Sequence, residues 1–374
     1  MFSLFYVMSE LWSAIIFTVL FWGFANEVTS VREAKRFYGL FSLGANISGI
    51  FAGKAATMLS KNVFLPYLPY GNSAWEQSVL FLNMTILLAG VLIMVIFRYL
   101  NGRVMIFEPI ASAKKASKVK MSMRNNFRYL AKSKYLLSIA LIVLAYNISI
   151  NLVEVVWKNQ LKQLYPNPSD FTNFMGQTMM YMGLLATCTS LFLTGFCLRK
   201  FSWTSNALIP PIIMLVTGIC FFFVVLFDHY QLPYFAAFLG SSSLLISVIL
   251  GTVQNCLARA SKYTLFDATK ELAFVPLSKE SKLKGKSAID GVGSRLGKSG
   301  GSFIHQILLL MFFTVSAATP VVAILFFSVI GLWIGSVFSL GKKFSTVTSE
   351  QENLDRNPQE SGVMKATNPL EKPV

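Results

Sequence analysis

Charge is scarce in this sequence. Asp, Glu, Lys and Arg fill 13% of its 374 positions, while 54% are hydrophobic and the mean hydropathy is +0.56. Soluble domains carry about 25% charged residues. A chain with so little polar surface cannot cover itself in water, which excludes an ordinary soluble domain. In a bilayer, lipid replaces water around apolar faces, and the 33 Phe and 15 Met suit that solvent. Acidic residues are the scarcer sign, 17 against 33 Lys and Arg, for a net charge of +16. The cations collect between apolar runs, as in cytoplasmic loops, and do not form the basic face of a nucleic-acid binder. Cysteine is limited to Cys188, Cys197, Cys220 and Cys256, each inside an apolar run and with no CxxC pair. That spacing excludes a zinc site or a disulfide framework and leaves small apolar filler. Of the two histidines, His229 falls in a loop and His305 in an apolar segment. No metal cluster or catalytic triad can be assembled, so neither an enzyme nor a cofactor is implied.

What is present is a series of apolar segments of spanning length, about 20 residues. Nine are readable, at 8–26, 37–59, 76–98, 136–157, 174–197, 207–227, 233–257, 289–312 and 318–341. Barrel strands alternate over about ten residues and do not run unbroken for twenty, so the fold class is all-α and polytopic. The first segment is no signal peptide: it lacks a basic start and a small-residue cleavage site, and it carries Glu10. The loops alternate in charge. One side collects Arg32, Lys35, Arg36, the basic stretch 101–134, Arg199, Lys200, the run 259–286, Lys342 and Lys343; the other holds only Lys61, Lys158 and Lys162. By the positive-inside rule the C-terminus lies inside and, with nine spans, the N-terminus outside. An odd number of further helices is then expected before the first residue.

Helix two carries Ala45, Gly49 and Gly53 at four-residue spacing, and helix eight carries Gly293, Gly297 and Gly301 likewise, 248 residues on. Both follow a cationic loop and run from inside to outside. Parallel repeats of this kind describe the two six-helix halves of a major-facilitator carrier, although small-xxx-small spacing also marks plain helix packing. The expected organisation is the remainder of an N-terminal half at 1–100, a basic cytoplasmic linker at 101–134, a six-helix half at 135–341 and a polar, disordered tail at 342–374. Nine helices of twelve would be present, three preceding the first residue.

Charges inside spans cost at least about 2.5–3.5 kcal/mol each on insertion scales, and they mark function by default. Glu10 sits near the outer end of helix one. Asn147, Asn151, Glu154 and Lys158 share one face of helix four. Asp290, Ser294, Lys298 and Ser302 are each four apart on helix eight, with His305 three further on; Lys298 lies roughly 13 Å into the span. The alternatives are snorkelling to the boundary for Glu10 and Glu154 and pairing with Asp290 for Lys298; His305 reads as a hydrogen-bonded core residue rather than a proton carrier. Arg259 and Lys262, after Gln254 and Asn255 on helix seven, serve either as positive-inside anchors or as a vestibule that draws in anions. The string LGKSGG at 296–301 lacks the upstream glycine of a P-loop, its place being taken by Val292, and no strand precedes it. A lysine on a glycine-lined helix still meets phosphate as a point charge.

The strings YVMSELW (6–12), LFWGFANEV (20–28), EAKRFYGLFSLGANISGIFAG (33–53), YNISINLVEVVWK (146–158), KYTLFDATKELAFVPL (262–277) and LKGKSAIDGVGSRLGKSGG (283–301) resemble the ATP/ADP translocases of obligate intracellular bacteria and plastids. The resemblance runs from Phe5 to about Leu340. It implies a twelve-helix carrier that exchanges ATP for ADP or imports nucleoside triphosphates with protons. The family's important membrane charges fall at Glu10, Glu154 and Lys298, while a further lysine of its first helix has no counterpart here. Glu27 in FANEV, and Gly291 with Gly293, depart from the family's pattern.

The reading is therefore a nucleotide carrier working by alternating access. ATP and ADP are its partners, with the bilayer as solvent and no nucleic acid or obligate protein partner. Its substrate-binding candidates are Glu10, Asn147, Asn151, Glu154, Arg259, Lys262 and Lys298. A carrier of another organic anion and a non-transporting scaffold are the alternatives. The expected location is a bacterial inner membrane, or else a plastid inner envelope.

Overall fold

The computed structural model describes residues 31–60, 63–103, 133–227, 242–277 and 293–356, with a few isolated positions besides. The first apolar segment, with Glu10, lies outside the described residues, as do Asp290, most of the basic linker and the chain beyond 356. Every element among the described residues is a helix. In chain order they are α1 (Val31–Leu59), α2 (Ala74–Arg103), α3 (Lys134–Leu164) and α4 (Pro168–Thr189), the last continued by a π-helical turn, Ser190–Thr194, into α5 (Gly195–Lys200). Then come α6 (Trp203–Phe227) and α7 (Ser243–Ser261), the latter continued by a second π-helical turn, Lys262–Phe266, into α8 (Asp267–Phe274). The series ends with α9 (Ser294–Phe312) and α10 (Val315–Arg356).

These form eight long rods, matching the second to ninth segments of the sequence. Six are long and apolar enough to cross a membrane: Ala74–Leu100, Lys134–Leu164, Pro168–Lys200, Trp203–Phe227, Ser243–Phe274 and Val315–Thr346. The chain is a polytopic all-α membrane protein. The two remaining rods, α1 and α9, are those that carry the glycine stripes and the polar positions between them.

Two boundaries differ from the sequence reading. The seventh segment does not end at 257 but continues through the π turn to Phe274, since Arg259 and Lys262 are part of the rod rather than its flank. The last helix runs on to Arg356, so 342–356 is not a disordered tail. No proline or glycine interrupts that stretch, the next proline being Pro358. The Thr346 and Thr348 hydroxyls donate back to the Lys342 and Phe344 carbonyls within it.

At the centre stands α3. Ser133 caps it, its hydroxyl accepting from the Leu136 N–H, and neither glycine nor proline breaks its 31 residues. It packs against α10, α9 and α7, which leaves Leu152, Val153, Val156 and Leu161 fully buried. In a bilayer such burial gains little by transfer from lipid; what it adds is close dispersion contact. The ring of Tyr146 on α3 lies 4.9 Å from Phe266 of the π turn and 5.9 Å from Trp333 of α10, so three elements meet at one aromatic cluster.

At the other end of the assembly α1 lies along α4. A Cβ on Gly53 would stand 2.5 Å from the Gly176 carbonyl oxygen and 2.6 Å from the Met180 nitrogen. A Cβ on Gly183 would stand 2.9 Å from the Asn46 oxygen and the Ile50 nitrogen. No side chain fits at either of these two glycines. Of the Ala45, Gly49, Gly53 stripe, Gly53 is tightly packed and Gly49 lies in ordinary contact with Gly183, while Ala45 is exposed; the glycines are thus a helix-packing surface. None of the apolar window of α2 is buried in the protein, as suits a helix facing lipid.

Candidate functional site

The charged centre is built where α3 and α7 cross. Glu154 of α3 holds two cations, one per carboxylate oxygen. Arg259 of α7 donates from Nη2 to Oε2 at 2.5 Å, and Lys158, one turn along α3, reaches Oε1 at 2.8 Å. Glu154 is 21% exposed at its side chain and Arg259 32%, so the pair is not sealed in the core. Lys298 of α9 also acts electrostatically on Glu154.

The π turn that follows α7 adds the next layer. Lys262 stands 3.9 Å from the Asp267 carboxylate, 4.7 Å from the Tyr263 ring centre and 6.0 Å from that of Tyr146. Four cations, Lys158, Arg259, Lys262 and Lys298, thus gather near two carboxylates, Glu154 and Asp267. Among the described residues the surplus is two positive charges. Such a centre is paired well enough to exist inside a membrane protein.

The glycines of α9 set the distance between α9 and α3. A Cβ on Gly297 would fall 2.6 Å from the Asn147 Cβ, so the two backbones are held close at that point. The stripe Gly297, Gly301 therefore meets the stripe Asn147, Asn151. Asn147 is buried and donates to the Val143 carbonyl of its own helix. The Asn151 Oδ1 is buried with no hydrogen-bond partner. Both asparagines sit in the helix contact, while Glu154, one turn on, reaches Arg259. Lys298 and Ser302, each next to one of those glycines, are exposed beside the contact. His305 packs in the same interface, its Nε2 3.3 Å from the Leu152 carbonyl oxygen, which makes it a hydrogen-bonded core residue.

Of the sequence candidates, Glu154, Arg259, Lys262 and Lys298 converge, Asn147 and Asn151 flank them in the packing, and Glu10 lies outside the described residues. Tyr146, Tyr263 and Asp267 were not singled out in the sequence. The available signal was position alone: Tyr263 follows Arg259 by four. No group of His, Cys, Asp and Glu among the described residues could hold a metal ion.

Spanning helices around a partly exposed cluster of charges define a polytopic membrane protein with ionised side chains held among its helices. The TLC ATP/ADP transporter family model matches residues 1–344, and the chain belongs to that family. It is similar to ADP,ATP carrier protein 1 of Chlamydia trachomatis serovar D, 42% identical over 355 residues that cover 94% of this chain and 67% of the relative. It is also similar to the chloroplastic ADP,ATP carrier protein 2 of Arabidopsis thaliana, 38% identical over 97% of this chain and 58% of the relative. The plastidic ATP/ADP-transporter of Solanum tuberosum is 39% identical over 94% of this chain and 55% of its own length. The chain thus spans about two thirds of the chlamydial relative and little more than half of the plant ones. No solved structure matches it.

Proposed function

We propose that this chain is a nucleotide carrier that exchanges ATP for ADP by alternating access, and not an enzyme. The observation that carries the proposal is the cationic surplus at the crossing of α3, α7 and α9, supported by relatives named as ADP,ATP carriers. Arg259, Lys262 and Lys298 would take the phosphates, and Glu154 would hold Arg259 and Lys158 when no nucleotide is present. Incoming phosphate competes with the Glu154 carboxylate for Arg259, so binding loosens the α3–α7 tie in the same step that neutralises the site. Asn147 and Asn151 position α9 and with it Lys298. Glu10 would supply the matching carboxylate from the N-terminal half.

In this reading 1–100 belongs to one half and 135–341 to the other, joined by the basic stretch 101–134, with the C-terminus in the cytoplasm of a bacterial inner membrane. The test is uptake of labelled ATP by proteoliposomes bearing the chain, with and without internal ADP. Uptake that requires internal ADP is the expected result. Uptake driven by a proton gradient without ADP would replace exchange by symport, and no uptake under either condition would remove transport by this chain.

A further inference from the structure

Four residues of the α7 rod, Thr252, Cys256, Arg259 and Tyr263, follow one another at spacings of four, three and four and so share a face. Their contacts show where that face looks. Thr252 accepts from the Trp157 indole N–H of α3 at 3.2 Å, the Cys256 sulfur lies 3.8 Å from the Thr178 carbonyl oxygen of α4, and Arg259 holds Glu154 of α3. The strip therefore lies in the groove between α3 and α4. It opens along its length: Cys256 is 7% exposed, the Arg259 side chain 32% and Tyr263 43%. Tyr263 is thus an exposed ring at the Arg259 end of this strip.

A nucleotide has two chemically distinct ends. Its phosphates need cations, and its base needs an apolar surface with a π face, which aromatic side chains provide whatever the base. Next to the cationic centre the two aromatic rings differ in what they can offer. Tyr146 is enclosed by Phe266 and Trp333 and presents no free face. Tyr263, one turn from Arg259, is exposed; the Lys262 ammonium lies over one face of its ring, 4.7 Å from the centre, and a base would stack on the other. We propose that Tyr263 is the platform on which the nucleobase of the carried nucleotide stacks, a specificity determinant that acts apart from the phosphate-binding cations. This rests on the nucleotide-carrier reading above and adds to it the residue that reads the base.

The test compares equilibrium binding of ATP and of inorganic tripolyphosphate, which has the phosphates and no base, to the purified full chain. Wild type binds ATP more tightly than tripolyphosphate. Tyr263→Leu weakens ATP about tenfold or more and leaves tripolyphosphate unchanged, while Tyr263→Trp retains or tightens ATP binding. Unchanged ATP affinity in Tyr263→Leu, an equal loss for both ligands, or a loss of ATP binding in Tyr263→Trp would overturn the assignment. Equal wild-type affinity for ATP and tripolyphosphate would overturn it too, leaving an anion carrier in place. A wild-type chain that binds tripolyphosphate and not ATP would remove the nucleotide reading itself.

Discussion

Gly301 of α9 lies so close to Asn151 of α3 that a methyl group on its Cα would stand 2.8 Å from both Cβ and Oδ1 of the asparagine. Its neighbour Gly300 has nothing within 4 Å of the same added atom. The pair is an internal control. Gly301→Ala forces α9 away from α3 and should cost about 1–3 kcal/mol by overpacking. Gly300→Ala should be neutral or stabilise by up to about 1 kcal/mol through helix propensity. Thermal unfolding of the two variants in detergent checks the difference, and Asn151→Ala should recover part of the loss in Gly301→Ala.

Glu154 and Arg259 should behave as a coupled pair. Arg259→Gln removes a hydrogen bond between charged groups, worth about 1.5–3 kcal/mol, and leaves the carboxylate with Lys158 alone. Glu154→Gln together with Arg259→Gln should regain most of the stability without regaining ATP uptake. Uptake restored along with stability would mean that the pair serves folding only.

Lys298 is exposed beside the α3–α9 contact, so replacing it should barely change stability, within about 0.5 kcal/mol. Lys298→Gln should nevertheless lower ATP uptake at least tenfold at unchanged protein yield. Lys298→Arg keeps the charge and changes its shape, and partial uptake is expected. Normal uptake by the double variant Lys298→Leu, Asp290→Leu would overturn a phosphate-binding role for this lysine.

Orientation can be read from two turns at opposite ends of the bundle. Ser73 precedes α2, and Ser202 lies between α5 and α6. Ser73→Cys should react with a membrane-impermeant maleimide added to intact cells, and Ser202→Cys only after permeabilisation. The reverse pattern would invert the topology.

Most of the helical scaffold was legible because lipid imposes a single demand, long apolar helices, and the sequence meets it in unbroken runs. The charged centre was legible for the same reason, since Glu154 and Lys298 stand out against an apolar background. What was hidden depends on contacts between distant segments. The stripes Asn147, Asn151 and Gly297, Gly301 were each visible, but that they face one another follows from the way α9 crosses α3. The π turn Lys262–Phe266 was hidden too: it inserts one residue into an otherwise regular helix and leaves no mark stronger than a slip in the apolar pattern. Tyr263 was passed over as one aromatic among many, because its place beside Arg259 and Lys262 depends on the helix continuing past residue 257.

The glycine seam between α1 and α4 has a mechanical consequence. At Gly53 the neighbours are backbone atoms of α4, so no side chain there can change rotamer to follow a gradual separation, and none loses rotamer freedom when the seam closes. Its attraction is short-ranged: a gap of about 0.5–1 Å already forfeits a quarter to a half of each contact's well depth. Close packing at Gly53, Gly176 and Gly183 is therefore lost within a small displacement of α1 from α4.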